Sequence, residues 1–133
     1  MKQIFLTIPL MALLSCSGNE IYCDMEQQAI ATCSGKPISS LYIEYADSHV
    51  YYYFRKRPNR KGTNLFSLIN IDTCYTITLN SIDHDIRHIP FALEPNKEYL
   101  VEHISDGDAG AGILRFKTNG QGVIVESDKT YCY

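Results

Sequence analysis

The sequence predicts an all-β protein whose single domain is an antiparallel β-sandwich of about seven or eight short strands. Short segments of alternating apolar and polar residues recur along the chain, and turn-forming residues separate them. No segment keeps a period of 3.6 residues over eleven positions, so long helices are not expected. The 133 residues suffice for one domain, and 10 tyrosines with 5 phenylalanines can fill one core.

Four strands are predicted in the first half of the chain. They lie at 41–46, 49–55, 65–69 and 73–79. Aromatic and β-branched residues dominate them, and such residues suit a pleated, half-buried surface. In the first of these strands the alternation places Leu41 and Ile43 on one face and Tyr42 and Glu44 on the other. The segment 24–32, which precedes them, allows one or two helical turns at most.

Four more strands are predicted in the second half, at 89–93, 98–104, 113–118 and 123–127. The dipeptide Asn119-Gly120 separates the last two of them. A type I′ turn needs positive φ at both central residues, which Asn and Gly adopt most easily. The sequence therefore predicts a type I′ hairpin at this point.

The stretch LEPNKEYLV, residues 93 to 101, resembles the corner at which fibronectin-type and immunoglobulin-like domains turn into a strand. Leu93, Pro95, Tyr99 and Val101 have the corresponding spacing. The resemblance implies that the Tyr99 hydroxyl bonds back to the upstream backbone. An ordinary turn before a strand is the alternative. The tyrosine corner and the ordinary turn both lead to a β-sandwich, which we expect to be of the immunoglobulin or transthyretin type.

The first fifteen residues have the features of a secretory signal peptide. Lys2 supplies a positive charge, and residues 4–14 form an apolar run that is too short to span a bilayer. The run ends in Leu13-Leu14-Ser15-Cys16, which resembles the bacterial lipobox and implies cleavage before a lipidated Cys16. The expected organisation is a signal peptide at 1–15, the lipidated cysteine and a short linker at 16–20, and the sandwich at 21–133.

Lipidation at Cys16 would make a membrane one partner of this protein. Several acyl chains hold a protein on a membrane far more firmly than a single chain does. Ser17 follows the cysteine, at a position where an aspartate would resemble an inner-membrane retention signal. We therefore expect an outer-membrane lipoprotein that faces the periplasm.

Four further cysteines are present, and an even number in an exported domain favours disulfides. They are Cys23, Cys33, Cys74 and Cys132. No two of them have C-x-x-C spacing, which argues against a zinc site or a redox pair. The sequence leaves three pairings open. We favour Cys23–Cys74 with Cys33–Cys132, because Cys74 lies inside a strand-like segment and needs a partner beyond the nearest loop.

Composition and motifs argue against several classes of function. The net charge of −3 lacks the basic footprint of a nucleic-acid-binding protein, so no nucleic-acid partner is expected. His84 and His88 would share a face only on a helix, and their polar context disfavours one. Asp106 and Asp108 have the spacing of a calcium loop, but Lys117 stands where that loop needs a glutamate. Nothing resembles G-x-S-x-G. We expect no catalysis, no metal and no cofactor.

Exposed aromatic and charged side chains are the remaining candidates for function. The basic segment, RKRPNRK at 55–61, would be a solvated hairpin tip, or a contact surface for an acidic partner or anionic lipid. Tyrosine and arginine are enriched at binding hot spots. We therefore predict partner contacts at Tyr51, Tyr53, Arg57, Arg60, Asp106 and Asp108.

Taken together, these features resemble the type VI secretion immunity periplasmic lipoproteins. They are LLSC at 13–16, Cys23, DTCYTITL at 72–79, and LEPNKEYLVEHI at 93–104 running into ILRFKTNGQG at 113–122. The resemblance implies a protein partner: a toxic effector whose active site this protein would block by surface complementarity. The basic segment and the pair Cys33 and Cys132 depart from the family pattern.

Two other functions remain open. The lipoprotein that anchors the type VI secretion membrane complex is also an outer-membrane β-sandwich of this size. The tyrosine-rich YYYF at 51–54 is also consistent with an accessory lipoprotein that binds the envelope or a carbohydrate.

Overall fold

The computed structural model describes residues 18–79, 91–105 and 110–132. Within these residues the chain forms nine strands and no helix. They are β1 (Ile21–Asp24), β2 (Ala29–Thr32), β3 (Ser40–Tyr45), β4 (Tyr51–Lys56), β5 (Leu65–Ser67), β6 (Tyr75–Leu79), β7 (Glu98–Ile104), β8 (Gly112–Thr118) and β9 (Ile124–Ser127). The predicted all-β class is confirmed.

The strands form two antiparallel sheets that share one core. One sheet has three strands in the order β1-β2-β5, and the other has six in the order β6-β4-β3-β7-β8-β9. Phe54 on β4 meets Phe66 on β5 edge to face, with 5.2 Å between ring centroids. Phe66 in turn contacts Tyr75 on β6 at 5.0 Å. Because these rings join the inner faces of the two sheets, the arrangement is the predicted sandwich.

Strands β7 and β8 of the larger sheet each have one buried and one more exposed face. β8 alternates strictly between buried and exposed across its seven residues. In β7 the side chains of Tyr99, Val101 and His103 are buried, while Glu98 and Ile104 are exposed. Since side chains of a strand point to opposite faces in turn, the inner face meets the small sheet and the outer face meets solvent.

The segment 24–32 is a β-hairpin, and the helical turns allowed by the sequence do not form. The Asp24 carboxylate accepts the backbone N–H of Gln27 at 3.0 Å, and Gln28 adopts a φ of 52°. These features reverse the chain between β1 and β2. All four residues of β2 are buried, so this strand lacks the alternation by which a strand is recognised.

The predicted strand at 89–93 is wrong for the residues that can be examined. Positions 89 and 90 lie outside the described residues, and 91–94 belong to no strand. Phe91 instead adds its ring to the core, edge to face with Tyr52 at 4.9 Å and with Phe54 at 5.1 Å. Packing of one aromatic side chain, and not strand pairing, therefore holds this segment.

The hairpin between β8 and β9 is confirmed, but its turn is not type I′. The positive φ of 73° lies at Gly122, outside the Asn119-Gly120 dipeptide. The Asn119 carbonyl accepts the N–H of Gly122 at 3.0 Å, and its side-chain oxygen accepts the N–H groups of Gln121 and Val123. The asparagine side chain therefore stabilises a longer connection, of the kind in which a type I turn is followed by a glycine.

The tyrosine corner is present. The Tyr99 side chain is 1% exposed, and its hydroxyl accepts the backbone N–H of Glu94 at 2.8 Å. Burial raises the pKa of Tyr99. The bond ties the segment before β7 to the core, as the spacing in LEPNKEYLV implies.

Asn19 is part of the domain, although it falls within the predicted linker. Its side chain is fully buried; the amide donates to the Gly110 carbonyl, and Oδ1 accepts the Ser105 hydroxyl at 2.6 Å. Its backbone carbonyl lies 3.1 Å from Nδ1 of the buried His103. Gly112 is needed beside it, because a Cβ there would overlap the Asn19 carbonyl. The domain therefore begins before Ile21.

Candidate binding face

Three tyrosines lie together on the outer face of the six-stranded sheet. Tyr42 on β3 is directly opposite Tyr53 on β4, and their rings stack with centroids 4.4 Å apart and planes inclined by 19°. Tyr51 lies at the other side of Tyr42, at 5.9 Å between centroids. Two of the predicted contact residues, Tyr51 and Tyr53, thus belong to one cluster. We call Tyr42, Tyr51 and Tyr53 the tyrosine cluster.

Two glutamates border the tyrosine cluster because of the strand register. Glu44 on β3 is opposite Tyr51 on one side and Leu100 of β7 on the other. Glu102 on β7 is opposite Tyr42. Directly opposed residues on one face of an antiparallel pair have Cβ atoms about 4.5–5.5 Å apart. Each carboxylate is therefore a neighbour of a tyrosine side chain.

The environment of Tyr42 shows how closely these groups interact. Its pKa is raised, first because the hydroxyl is partly withdrawn from water, and then because Tyr53, Tyr51 and Glu102 lie nearby. The phenol is protonated at neutral pH, as an ordinary tyrosine is, and it can donate a hydrogen bond.

A shallow cleft of about 220 Å³ opens on this face. It is lined by Tyr42, Glu44, Tyr51, Leu100 and Glu102. The cleft thus has aromatic and aliphatic walls with two carboxylates at its border.

Neither glutamate of the cleft is neutralised by a neighbour. Within residues 18–79, 91–105 and 110–132, Glu44 and Glu102 take part in no ion pair and no side-chain hydrogen bond. By contrast, Glu98 on the same strand as Glu102 pairs with Arg115 on β8 at 4.0 Å. The cleft therefore carries negative charge that the fold leaves available.

The basic segment is a connection between the two sheets and not the tip of a hairpin. β4 pairs with β3 and β6, whereas β5 belongs to the small sheet. The Lys56 ammonium is used inside the connection, where it donates to the Arg60 carbonyl at 2.9 Å. Arg57 donates its backbone N–H to the Cys74 carbonyl at 2.7 Å. The predicted hairpin tip at 55–61 is wrong, because β4 pairs with β3 and β6 and not with the strand that follows it.

The structure does not place the predicted site residues at one location. Arg57 and Arg60 follow the end of β4, beyond the sheet face that carries Tyr51 and Tyr53. Arg60 is exposed and Arg57 is half-buried. Asp106 and Asp108 lie outside the described residues, as do Cys16, His84 and His88.

The four cysteines among the described residues form one disulfide and leave two thiols. Cys33 and Cys132 are bonded, with their Cα atoms 5.7 Å apart, as predicted. Cys23 and Cys74 are free, so the predicted Cys23–Cys74 pairing is wrong. Cys23 donates its backbone N–H to the Lys129 carbonyl at 2.7 Å, just after β9 at one edge of the large sheet, whereas Cys74 precedes β6 at the other edge. The two edge strands of the six-stranded sheet are five strand spacings apart, which is about 24 Å in a flat sheet. A disulfide needs Cα atoms within about 7 Å, so cysteines at opposite edges cannot bond.

The Cys23 thiol is unsuited to catalysis. The residue is 1% exposed, and burial raises its pKa from 9.0 to about 11, with a further contribution from Asp24. The thiolate is the nucleophilic form of cysteine, so a buried thiol with a raised pKa is inert at neutral pH.

The described residues contain no obvious centre for metal chemistry. In the ranges given above, no three His, Cys, Asp or Glu side chains converge as metal ligands would. The same part of the chain has no helix long and apolar enough to cross a bilayer.

Comparison with protein-family models, with curated proteins and with solved structures gives no match. The function of the open sheet face must therefore be inferred from its own residues and geometry.

Of the five residues that line the cleft, the sequence-based contact prediction included one, Tyr51. Tyr51 and Tyr53 were singled out as outward aromatic residues, but Glu44, Leu100 and Glu102 were not. The alternation in β3 already places Tyr42 and Glu44 outward. Which residues of β7 lie opposite them depends on a register between distant segments, and the sequence gives no local signal for it.

Proposed function

We propose that this protein is a periplasm-facing outer-membrane lipoprotein that binds a toxic type VI secretion effector and neutralises it. The observation that supports a binding role is the open face of the six-stranded sheet. Its tyrosine cluster lies outside the buried core, on the outer face of the sheet.

The composition of this face suits a protein partner. Tyrosine contributes a large rigid contact area at a low cost in side-chain entropy, and it is enriched at interface hot spots. A cleft of about 220 Å³ is smaller than the roughly 300–1,000 Å³ typical of small-molecule pockets. The geometry therefore favours a broad macromolecular contact that includes one inserted side chain.

The identity of the partner rests on the resemblance at the N-terminus and in the strand pattern. A lipid anchor on Cys16 would hold the domain at the outer membrane, where an effector delivered to the periplasm can be intercepted. Inhibition would then be stoichiometric occlusion of the effector's active site, and it needs no chemistry from this chain.

Two matched tyrosine variants test the proposal in cells. Tyr53→Ala removes a ring of the tyrosine cluster, while Tyr22→Ala removes an outward, half-buried tyrosine on β1 in the opposite sheet. Truncating a hot-spot tyrosine costs about 2 kcal/mol, or about thirtyfold in affinity. Cells that carry Tyr53→Ala should lose protection against a competitor that fires the cognate effector, and cells with Tyr22→Ala should keep it.

Deletion of the gene gives the decisive comparison. If deletion leaves the cell as resistant to every periplasm-targeting effector as before, the immunity function is wrong. If deletion instead stops the cell from firing its own secretion system, the protein is a structural anchor. Pull-down of the domain with the product of the neighbouring gene identifies the effector.

A further inference from the structure

We propose that the cleft on the outer sheet face binds an arginine side chain of the protein partner. This inference rests on the proposed function, since it specifies the chemistry by which the same face recognises a protein. It assigns to Glu44 and Glu102 the role of anionic contacts, and to Tyr42 and Tyr51 the role of aromatic walls.

Charge complementarity is the first argument. Two carboxylates border one small cleft, and the fold provides neither of them with an ion pair or a side-chain hydrogen bond in the described part of the chain. Glu44 and Glu102 are diagonal neighbours on adjacent strands of one face, so their negative charges repel each other. A cationic side chain from outside would remove that repulsion and gain two charge-assisted hydrogen bonds.

The aromatic walls select the kind of cation. A guanidinium is planar, stacks on a tyrosine ring and is more weakly hydrated than an ammonium group. Tyr42 and Tyr51 have ring centroids 5.9 Å apart and planes inclined by 55°, so they form a corner and not a flat floor. A guanidinium in this corner can contact one ring face while its N–H groups reach the carboxylates.

The neighbouring basic residues do not fill the cleft themselves. Arg115, which is opposite Leu100, pairs with Glu98 at 4.0 Å. Arg55 on β4 is opposite Ser40, beyond the position of Tyr42 along β3. Among the described residues, no basic side chain therefore lines or fills the cleft.

The occupant could in principle be an arginine of a second copy, since the basic segment of this chain exposes Arg60. A contact between the cleft of one molecule and the basic segment of the next would join different surfaces and would not close on itself. Open chains of molecules would result, and they are poorly suited to stoichiometric inhibition. We therefore assign the arginine to the partner and make self-association an outcome of the test.

Titration with short blocked peptides tests the cleft directly. The full chain, purified in a nonionic detergent, is titrated with acetyl-Gly-Arg-Gly-amide and followed by backbone amide NMR. The arginine peptide should shift the amide signals of Tyr42, Tyr51 and Glu102, and should saturate in the millimolar range. The equivalent citrulline peptide has the same shape without the charge, and should produce no saturable shift.

Charge-neutralising variants provide the matched controls. Glu102→Gln and Glu44→Gln should each weaken binding of the arginine peptide at least tenfold. Glu98→Gln alters a carboxylate on the same strand that already has an arginine partner, and should leave binding unchanged. Added salt should weaken the wild-type interaction, because the cleft is open to solvent.

Several outcomes would overturn the inference. They are equal shifts with the citrulline peptide, unchanged binding in Glu102→Gln, or shifts that do not centre on the cleft. Concentration-dependent self-association that Arg60→Ala abolishes would assign the cleft to a second copy instead. The gene deletion reports on protection in cells, whereas the peptide titration reports on the cleft alone. The cleft assignment can therefore fail while the immunity function stands, and the reverse also holds.

Discussion

At the scale of single residues, two buried tyrosines serve the fold through their hydroxyl groups. Tyr99 fixes the corner before β7. Tyr75 is fully buried, donates its hydroxyl to the Ile38 carbonyl at 2.7 Å and accepts the Thr63 N–H at 3.0 Å. A hydroxyl in the core must find such partners, because burying it without them costs free energy. These tyrosines therefore differ in role from the tyrosine cluster, although they are the same residue type.

Replacing Tyr75 by Phe tests this structural role. The variant keeps the ring but leaves the Ile38 carbonyl and the Thr63 N–H without their partner. An unsatisfied buried group costs about 1–3 kcal/mol, so the free energy of unfolding should fall by that amount in a urea titration. Tyr22→Phe, at a half-buried position on the outside of β1, should change it by less than about 0.5 kcal/mol. Equal losses would contradict the assigned hydrogen bonds.

The buried thiol of Cys23 predicts a fall in stability at alkaline pH. Its pKa is raised from 9.0 to about 11 in the folded protein. Between these values the unfolded chain has lost the proton and the folded chain retains it. The unfolded state then binds fewer protons, so the free energy of unfolding decreases as pH rises. The raised pKa values of Tyr75 and Tyr99 act in the same direction.

The contribution of Cys23 can be isolated by substitution. Two pKa units correspond to a loss of up to about 3 kcal/mol. Cys23→Ala should therefore show a shallower decline of unfolding free energy between pH 9 and 11 than the wild type. Thiol labelling gives a second readout: Cys74 should react in the folded protein, and Cys23 only after unfolding. A pH dependence identical to that of the wild type would contradict the burial argument.

At the scale of elements, the β8–β9 connection depends on one glycine. Gly122 has a φ of 73°, and a Cβ at this position would lie 2.6 Å from the Leu93 carbonyl oxygen. Gly35 is a natural control, because its φ is 75° but no atom lies within 4 Å of its Cβ position. Gly122→Ala and Gly35→Ala would both strain the backbone, but only Gly122→Ala would also create a steric clash.

The two glycine variants should therefore differ in stability. Gly35→Ala should lower the free energy of unfolding by about 1 kcal/mol, the cost of a left-handed conformation for a residue with a Cβ. Gly122→Ala should lose at least about 1 kcal/mol more, because the backbone of 93–94 must move. Denaturant unfolding of both variants measures the difference, and equal losses would show that Leu93 moves freely.

The sequence predicts a strand where buried and exposed residues alternate along it. It does not predict a strand whose residues are all buried. The segment 98–104 coincides with β7, whose buried residues Tyr99, Val101 and His103 alternate with more exposed ones. β2 is short and buried throughout, so the β1–β2 hairpin gave no period to detect. The same limit applies to the cleft. Alternation indicates that Tyr42 faces outward, but its neighbour Glu102 follows from a long-range register.

At the scale of the whole molecule, the sandwich has two distinct ends. Ser40 of β3 is level with Ile104 of β7, and Tyr45 is level with Tyr99. The buried Asn19 contacts Ser105 and Gly110, so it lies at the Ile104 end. Three residue steps from Asn19 back to Cys16 reach at most about 10 Å. If Cys16 carries the lipid, that end of the sandwich is held close to the membrane.

The short connection between Cys16 and Asn19 predicts how the domain is oriented relative to the membrane. The seven residues of β7 extend about 20 Å, so the turn after Tyr45 lies far from the lipid anchor. If Cys16 carries the lipid, the tyrosine cluster would face sideways relative to the membrane, where a soluble partner could reach it. A long flexible linker would impose no such orientation, because the domain could turn freely.

Paramagnetic relaxation measures this orientation. The full chain is placed in nanodiscs that contain a headgroup-chelated gadolinium lipid, and broadening of the amide signals is recorded. Ser105, Gly110 and Gly112 should broaden strongly, whereas Ala46 and Asp47 in the turn after β3 should not. Insertion of ten Gly-Ser residues between Ser17 and Gly18 should remove the difference, because the domain is then free to reorient. Equal broadening at both ends of the native chain would contradict the short tether.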